Sequence, residues 1–97
     1  MSANRLTLDA TLASLDTLRF TPAGVPAIEM RLEHESTQLE AGHERKVACE
    51  LFAIALGPLA RTLAALRTGV AIRCEGFLAR RYKSGGVALH LTEFELI

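Results

Sequence analysis

The sequence predicts an all-β domain with one short helix, folded as a small Greek-key barrel of five or six strands. Several runs of residues alternate apolar and polar side chains, as strands with one buried face do. Helical spacing of leucines occurs once, after Gly57-Pro58, and Gly76 interrupts a later strand as at a barrel corner. A chain of 97 residues is expected to form one domain, residues 1–97.

Three strands and a turn are predicted in the first third of the chain. Residues 5–12, 17–21 and 27–36 alternate apolar with polar side chains. Residues 22–26 contain two prolines and a glycine and therefore predict a tight turn. The side chains expected to face inward are Leu6, Leu8, Ala10, Leu12, Leu18, Phe20, Ile28, Met30 and Leu32.

A loop and a fourth strand are expected next. Residues 37–44 are polar and contain Gly42, a combination typical of loops. Residues 45–56 alternate again, but the phase is lost near Phe52, which indicates a bulge or a buried strand end. The inward-facing residues of this strand are Val47, Cys49 and Leu51.

One helix and two more strands complete the predicted fold. The helix begins at Pro58, a favoured first position for proline, and ends at Gly69. Its leucine stripe is expected to cover the core. The fifth strand passes Gly76 and leads into a hairpin, and the last strand shifts phase near its middle. The inward residues are Leu59, Leu63, Leu66, Val70, Ile72, Cys74, Val87, Leu89, Leu91, Phe94 and Leu96.

Charge is balanced overall but is unevenly distributed along the chain. The formal net charge is +0, with 11 basic and 11 acidic residues. Residues 43–83 carry eight Lys and Arg against three Glu, whereas the segments on either side are net acidic. A neutral protein can still produce a local positive field, and this central block predicts one.

The hairpin at residues 80–86 is the strongest functional signal. It combines Arg80, Arg81 and Lys83 with Tyr82, the only tyrosine, and two glycines follow. Cations for phosphates and a flat ring for a base are what single-stranded nucleic acid binding requires. The alternative is a solvated hairpin whose charges protect a strand edge from unwanted pairing.

Catalysis and metal binding are not expected, because no motif assigns them residues. The three histidines share no metal-ligand spacing with Cys49 or Cys74, and these cysteines are expected to be small buried side chains rather than a disulfide. No catalytic residue, metal or cofactor is therefore predicted. No apolar run suits a membrane span and the N-terminus lacks a signal-peptide pattern, so a cytoplasmic protein is expected.

Two further features have open interpretations. Arg45-Lys46 follows the expected loop and is either a second phosphate contact or a solvated strand start. Phe77 lies on the opposite face from Ile72 and Cys74, so it is expected to be exposed or to lie at a dimer seam. The other three phenylalanines are expected to be mostly core.

Several short motifs occur in an order that resembles one bacterial family. They are Asn4-Arg5-Leu6, Thr21-Pro22-Ala23-Gly24-Val25-Pro26, Leu32-Glu33-His34, Glu40-Ala41-Gly42, Arg45 with Cys49, Gly76-Phe77, Leu89-His90 and Glu95-Leu96-Ile97. The pattern resembles the primosomal replication protein N (PriB) family from residue 4 to residue 97. No single motif is specific to the family, but their fixed order is.

The resemblance implies an OB fold and a homodimer that resembles half of a single-stranded-DNA-binding protein tetramer. It also implies binding of single-stranded DNA without sequence preference. Its partners would be the PriA helicase, which the family stimulates, and the primosomal protein DnaT. Family members act in replication restart, are not enzymes and need no metal.

The family's DNA site is only partly present in this sequence. Arg19, Arg81 and Lys83 match basic positions of the family, in a hairpin that is shorter here. Ala48 stands where the best-known member has a DNA-stacking tryptophan, Glu35 replaces a basic residue, and Ser14 stands where the family can have arginine.

Two functions follow as hypotheses. In the first, the protein is a single-stranded-DNA-binding dimer of the primosome. Tyr82 stacks a base, and residues 5–12 form the dimer element as an unpaired strand edge. The residues expected to contact phosphates are Arg19, Arg45, Lys46, Arg80, Arg81 and Lys83. In the second, the protein is an interaction adaptor whose DNA binding is vestigial, which Ala48, Glu35 and the neutral net charge favour.

Overall fold

The computed structural model describes residues 2–81 and 85–97, and these form six strands and one short helix. The prediction of an all-β domain with one helix is confirmed. The elements are β1 (Leu6–Leu15), β2 (Arg19–Phe20), β3 (Pro26–Glu40), β4 (His43–Leu56), α1 (Pro58–Ala64), β5 (Ala71–Arg80) and β6 (Val87–Leu96).

Five of the strands close into a barrel. The sheet order is β1-β5-β6-β4-β3-β2, and the further pairing of β1 with β3 joins its ends. Within residues 2–81 and 85–97, only the pair of β4 with β6 is parallel, through Ala53–Leu89 and Ile54–His90. A closed five-stranded Greek-key barrel with this connectivity and a helix between its third and fourth strands is an OB fold. No helix among the described residues has the length and apolar character that crossing a bilayer requires.

Strand β1 takes part in barrel closure along its whole length. Leu6–Thr11 pair with β5 and Thr11–Leu15 pair with β3. Pairing with β5 covers one edge of this strand over residues 6–11, so the unpaired edge predicted at residues 5–12 exists only on the other side, along residues 6–10. Successive residues of a strand direct their main-chain N–H and C=O groups to opposite sides. The groups of Leu12 point toward β5. Those of Thr7 and Asp9, an odd number of residues away, therefore point toward the other edge. No strand in the described part of the chain pairs with that edge along residues 6–10.

The barrel core consists mainly of side chains that alternation places inward. The largest fully buried side chains are Leu12, Ile28, Leu32, Leu63, Ile72, Leu89 and Cys74. Burying one such aliphatic side chain contributes about 1.5–3 kcal/mol. Leu63 is the central residue of the predicted helix stripe, and Leu59 and Leu66 pack against the core from its sides. The stripe is core, as predicted.

Some residues predicted to face inward lie at the surface instead. Phe20 is 54% exposed because β2 is a two-residue strand at the end of the sheet. Val87 and Leu96 lie at the two ends of β6 and are also exposed. Cys49 is exposed whereas Cys74 is buried, and both are free. Burial raises the pKa of the Cys74 thiol to about 11.

The loop predicted at residues 37–44 is wrong, because these residues form a β-hairpin. Strands β3 and β4 stay paired to Glu40 and His43, and the turn is Ala41-Gly42, with φ of 52° and 81°. Positive φ at both turn residues suits the right-handed twist of a two-residue hairpin. This arm (residues 37–46) extends beyond the barrel and is exposed on both faces, so no buried face imposes alternation on its sequence.

Strand β4 keeps its phase past Phe52, contrary to the prediction. Ala53 and Ala55 are buried on the same face as Leu51, and no register shift interrupts the pairing of β4 with β3. Alanines carry the inward face here, and alternation between alanine and larger apolar residues is hard to recognise in a sequence. The register shifts lie elsewhere, between Leu12 and Ser14 in β1 and at Glu75/Gly76 in β5.

Gly76 is placed at a close approach of two strands. Glu75 pairs with Glu93 and Gly76 pairs with Leu91, so Thr92 is the extra residue of a bulge. A Cβ atom on Gly76 would lie 1.9 Å from the carbonyl oxygen of His90. Both the predicted barrel corner and the predicted phase shift in the last strand are confirmed at this point.

We expect Gly76→Ala to reduce the free energy of unfolding by roughly 3 kcal/mol, because the added methyl group must displace a main-chain carbonyl. Ala71→Ser, at an exposed position of the same strand, is the control and should change it by less than about 0.5 kcal/mol. Urea unfolding of the three proteins at equal concentration measures both values. A Gly76→Ala protein as stable as the control would contradict the close approach of β6.

The carboxylates of Glu75 and Glu93 face each other across β5 and β6. The hydrogen bond with Glu75, together with repulsion from its charge, raises the pKa of Glu93 above the ordinary value of 4.5. The folded protein therefore holds this proton more tightly than the unfolded chain, and the resulting stability is lost as pH rises through the folded pKa.

Glu93→Gln is thus expected to raise the melting temperature at pH 7, and the gain should shrink to nothing below pH 4.5, where wild-type Glu93 is neutral in both states. Glu95→Gln is the matched control, since Glu95 lies 3.9 Å from Arg73 and loses an attraction. Thermal unfolding across pH 4–8 measures the effect. An equal gain at both ends of this range would rule out the carboxylate pair as its cause.

Candidate nucleic-acid interface

A cleft of about 470 Å³ crosses the outer face of the barrel at β4 and β6. It lies between the β1–β3 connection, which carries Arg19, and the base of the β5–β6 hairpin. OB folds bind oligonucleotides on the face of their second and third barrel strands, between the corresponding two loops. Here β3 and β4 are those strands. The cleft is lined by Arg19, Glu29, Phe52, Ala53, Ile54, Arg80, Arg81, Ala88 and His90.

Phe52 lies on the outer face of β4 with a guanidinium near its ring from each neighbouring element. The Cζ atom of Arg81 is 3.5 Å from the ring centroid, and that of Arg31 is 4.8 Å away. Phe52 is half-buried rather than core, so its assignment to the core is wrong. Cation–π contacts at exposed sites contribute about 0.5–1 kcal/mol each.

The predicted cations differ in whether a carboxylate already neutralises them. Arg19 is paired with Glu29 at 2.7 Å, and Arg45 is paired with Glu40 at 2.8 Å. Across the described residues, no carboxylate lies within ion-pair distance of Arg80 or Arg81. These two arginines therefore give the cleft its uncompensated positive charge.

Arg45 and Lys46 lie in the arm, away from the cleft. They pair with Gln38 and Thr37 near the turn of the hairpin. Lys46 shares the outer face of β4 with Phe52 but is six residues away, which is about 20 Å along a strand. Arg45 points to the opposite face. The structure does not bring this pair of cations together with Arg80 and Arg81.

Three carboxylates occupy the outer face between the cleft and the arm. Glu33 and Glu50 are directly opposite each other on β3 and β4, and Glu35 is opposite Ala48. We refer to Glu33, Glu35 and Glu50 as the acidic strip. Arg31 compensates only Glu50, at 3.1 Å. A nucleic acid strand that left the cleft toward Lys46 would pass these negative charges, which repel phosphates.

Tyr82 and Lys83, the remaining predicted site residues, lie outside the described residues. The base of their hairpin is described, and it is closed by a hydrogen bond of 3.0 Å from the Arg81 N–H to the carbonyl oxygen of Gly86. The main chain of Arg81 is thereby held in place beside the cleft.

A stacked pair of rings lies at the border of the cleft, which His90 lines, on the same face. Phe77 and His90 stack with centroids 5.1 Å apart and planes 14° from parallel. Phe77 is 40% exposed, which confirms that it is not a core residue. His90, Phe52 and Arg31 were not among the predicted site residues. The missed signal is the inward direction of Ala53 and Ala55. If these alanines are taken as the buried positions of β4, alternation places Phe52 on the outer face.

Comparison with known proteins places the chain in one family. Residues 4–93 match a protein family whose description is "Another single-strand binding protein family". The chain is 45% identical to replication restart protein PriB of Bordetella pertussis over 91 residues, covering 93% of this chain and 85% of that protein. It is 33% identical to PriB of Serratia proteamaculans over 101 residues, covering 100% and 96%.

Solved structures agree with these sequence relatives. PriB from Ralstonia solanacearum superposes with a TM-score of 0.92 at 35% identity and covers 98% of both chains. The wild-type single-stranded DNA binding protein from Thermus aquaticus gives a TM-score of 0.77 at 27% identity, covering 98% of this chain and 50% of that one. On these grounds, the chain is an OB-fold member of the PriB family of single-strand binding proteins.

Proposed function

We propose that this protein binds single-stranded DNA without sequence preference in the cleft, as a non-enzymatic accessory protein of replication restart. The observation that carries the proposal is the pair of uncompensated arginines, Arg80 and Arg81, on the OB-fold binding face. The names of its relatives, replication restart protein PriB and single-stranded DNA binding protein, support it. Such a protein acts on bacterial DNA in the cytoplasm.

The roles of the predicted residues follow from their positions. Arg80 and Arg81 bind phosphates directly, and Lys83 and Tyr82 add a cation and a base stack from the hairpin. Arg19 contributes after exchanging Glu29 for a phosphate, since an exposed ion pair contributes only about 0–1 kcal/mol. Arg45 and Lys46 contact only a strand long enough to reach the arm. Charge and ring faces read no base edges, which accounts for binding without sequence preference. No metal or cofactor is needed.

The protein partners proposed are the PriA helicase and DnaT, between which this protein would act as a bridge. A second candidate function, an adaptor with vestigial DNA binding, is favoured by the acidic strip. In that function the outer face of β3 and β4 meets a protein partner, because its carboxylates oppose a DNA strand.

A homodimer is proposed to form through the open edge of β1. Thr7 and Asp9 direct main-chain groups to this edge, and two copies could pair there in an antiparallel β-ladder. The carbonyl of Asp9 already accepts a hydrogen bond of 2.6 Å from His34, so this residue limits the ladder at one end.

DNA binding is tested by anisotropy of a labelled oligothymidine at increasing salt. Three or four phosphate contacts give a log–log slope of roughly −2 to −3, at about −0.7 per contact. Arg80→Ala should make the slope shallower by about 0.7, whereas the matched variant Arg45→Ala, in the arm, should leave it unchanged. Absence of binding at tens of micromolar protein in low salt would favour the adaptor.

Sedimentation tests the dimer. Thr7→Pro removes an N–H at the open edge without removing a bond to β5, so it should convert a dimer into a folded monomer. Thr92→Ala alters a bulge residue of β6, which β5 separates from the open edge, and should sediment like the wild-type protein. A wild-type protein that is monomeric at about 100 µM would refute this interface, as would a dimeric Thr7→Pro protein.

A further inference from the structure

We propose that the Phe52 ring is the base-stacking platform of the cleft, and that the Arg81 guanidinium occupies the place of a base until DNA displaces it. This inference rests on the proposed binding of single-stranded DNA and adds the residue that receives a base and the movement that binding requires. It concerns a residue that sequence alternation assigned to the core.

The position of Phe52 suits a platform. The ring is held at the floor of the cleft on a paired barrel strand, opposite Arg31 on β3. The register of β4 with β6 places Ala88 beside it on the other side, and this small side chain leaves room above the ring. An aromatic ring on a rigid strand, once the guanidinium over it has moved away, can receive a base of any identity because every base has a π-face.

The group now on the ring has the geometry of a stand-in. A guanidinium is planar, and Arg81 lies with its Cζ atom 3.5 Å from the centroid of Phe52, at stacking distance. Arg31 is farther away, at 4.8 Å, and is held by Glu50 at 3.1 Å. The two cations are thus unequal: Arg31 is anchored by a carboxylate, and Arg81 has none among the described residues.

Displacement of Arg81 is favourable for two reasons. A base stacks on an aromatic ring more strongly than an exposed guanidinium does. The main chain of Arg81 is fixed by its hydrogen bond to Gly86, so only the side chain has to swing away. A guanidinium released from the ring remains next to the incoming nucleotide and can bind its phosphate. One side chain therefore occupies the empty site and then contacts the DNA.

The test compares two probes of equal length, a labelled oligothymidine and a labelled abasic oligonucleotide with the same phosphates and no bases. Phe52→Ala should weaken binding of oligothymidine by about 5- to 100-fold, the range for loss of one base stack. It should change binding of the abasic probe less than about twofold. Phe52→Leu keeps an apolar side chain but removes the ring, and it should have the same effect on both probes. The test therefore still works if the alanine variant fails to fold.

Leu39→Ala is the control, because Leu39 is an apolar side chain in the arm that is 75% exposed and does not line the cleft. It should bind both probes like the wild-type protein. If the wild-type protein bound neither probe, the proposed function itself would fail. If it bound both probes and the Phe52 variants matched it, only the platform would be refuted.

The stand-in role of Arg81 has a separate measurement. The chain has no tryptophan, so Phe52→Trp introduces a single reporter at the platform. Adding Arg81→Ala to it should at least double the quenching of this tryptophan by acrylamide, because the cover is gone. Oligothymidine should quench the Phe52→Trp protein and the abasic probe should not. Equal acrylamide quenching with and without Arg81 would overturn the role of the guanidinium as a cover.

Discussion

The pairing of β4 with β6 is the interaction on which both the barrel and the cleft depend. Among the strands that the structure describes, it is the only parallel contact, and it spans two residue pairs, Ala53–Leu89 and Ile54–His90. It closes the barrel between segments that are far apart in the chain. It also sets the base of the β5–β6 hairpin beside Phe52, because β6 begins next to that hairpin. Gly76 supports the arrangement, since β6 approaches β5 more closely there than any side chain would allow.

Local ion pairs, rather than an excess of basic over acidic residues, determine where the surface of this protein is positive. At the cleft, Arg19 and Arg31 are each matched by a carboxylate on the next strand, whereas Arg80 and Arg81 have no such partner among the described residues. A nucleic acid would therefore meet a short positive segment next to an acidic strip, and we expect its binding to be local, with the shallow salt dependence that a few phosphate contacts give. Ala48 lies within that strip, opposite Glu35, and offers no ring to a base. Phe52, four residues along the same face, is the aromatic ring that adjoins the cations.

Local patterns in the sequence predicted the elements better than the site. Alternation identified the inward faces of β1 and β3, and Gly76 and the phase change in the last strand located the bulge. The arm was missed because a hairpin outside the barrel has no buried face and so no alternation. Phe52 was missed because the buried positions beside it are the small residues Ala53 and Ala55. Its outward direction becomes clear only from the register of β4 with β3. The separation of Arg45 and Lys46 from the cleft likewise follows from register, which local patterns do not contain.

The central claim is that DNA meets the protein at the cleft and not along the arm. It is tested most directly by recording amide ¹H–¹⁵N spectra during titration with oligothymidine. The account predicts that shift changes cluster at the cleft, around Arg19, Phe52, Arg81 and His90, and leave residues 39–46 unchanged. Changes confined to the arm, or to the acidic strip, would contradict it.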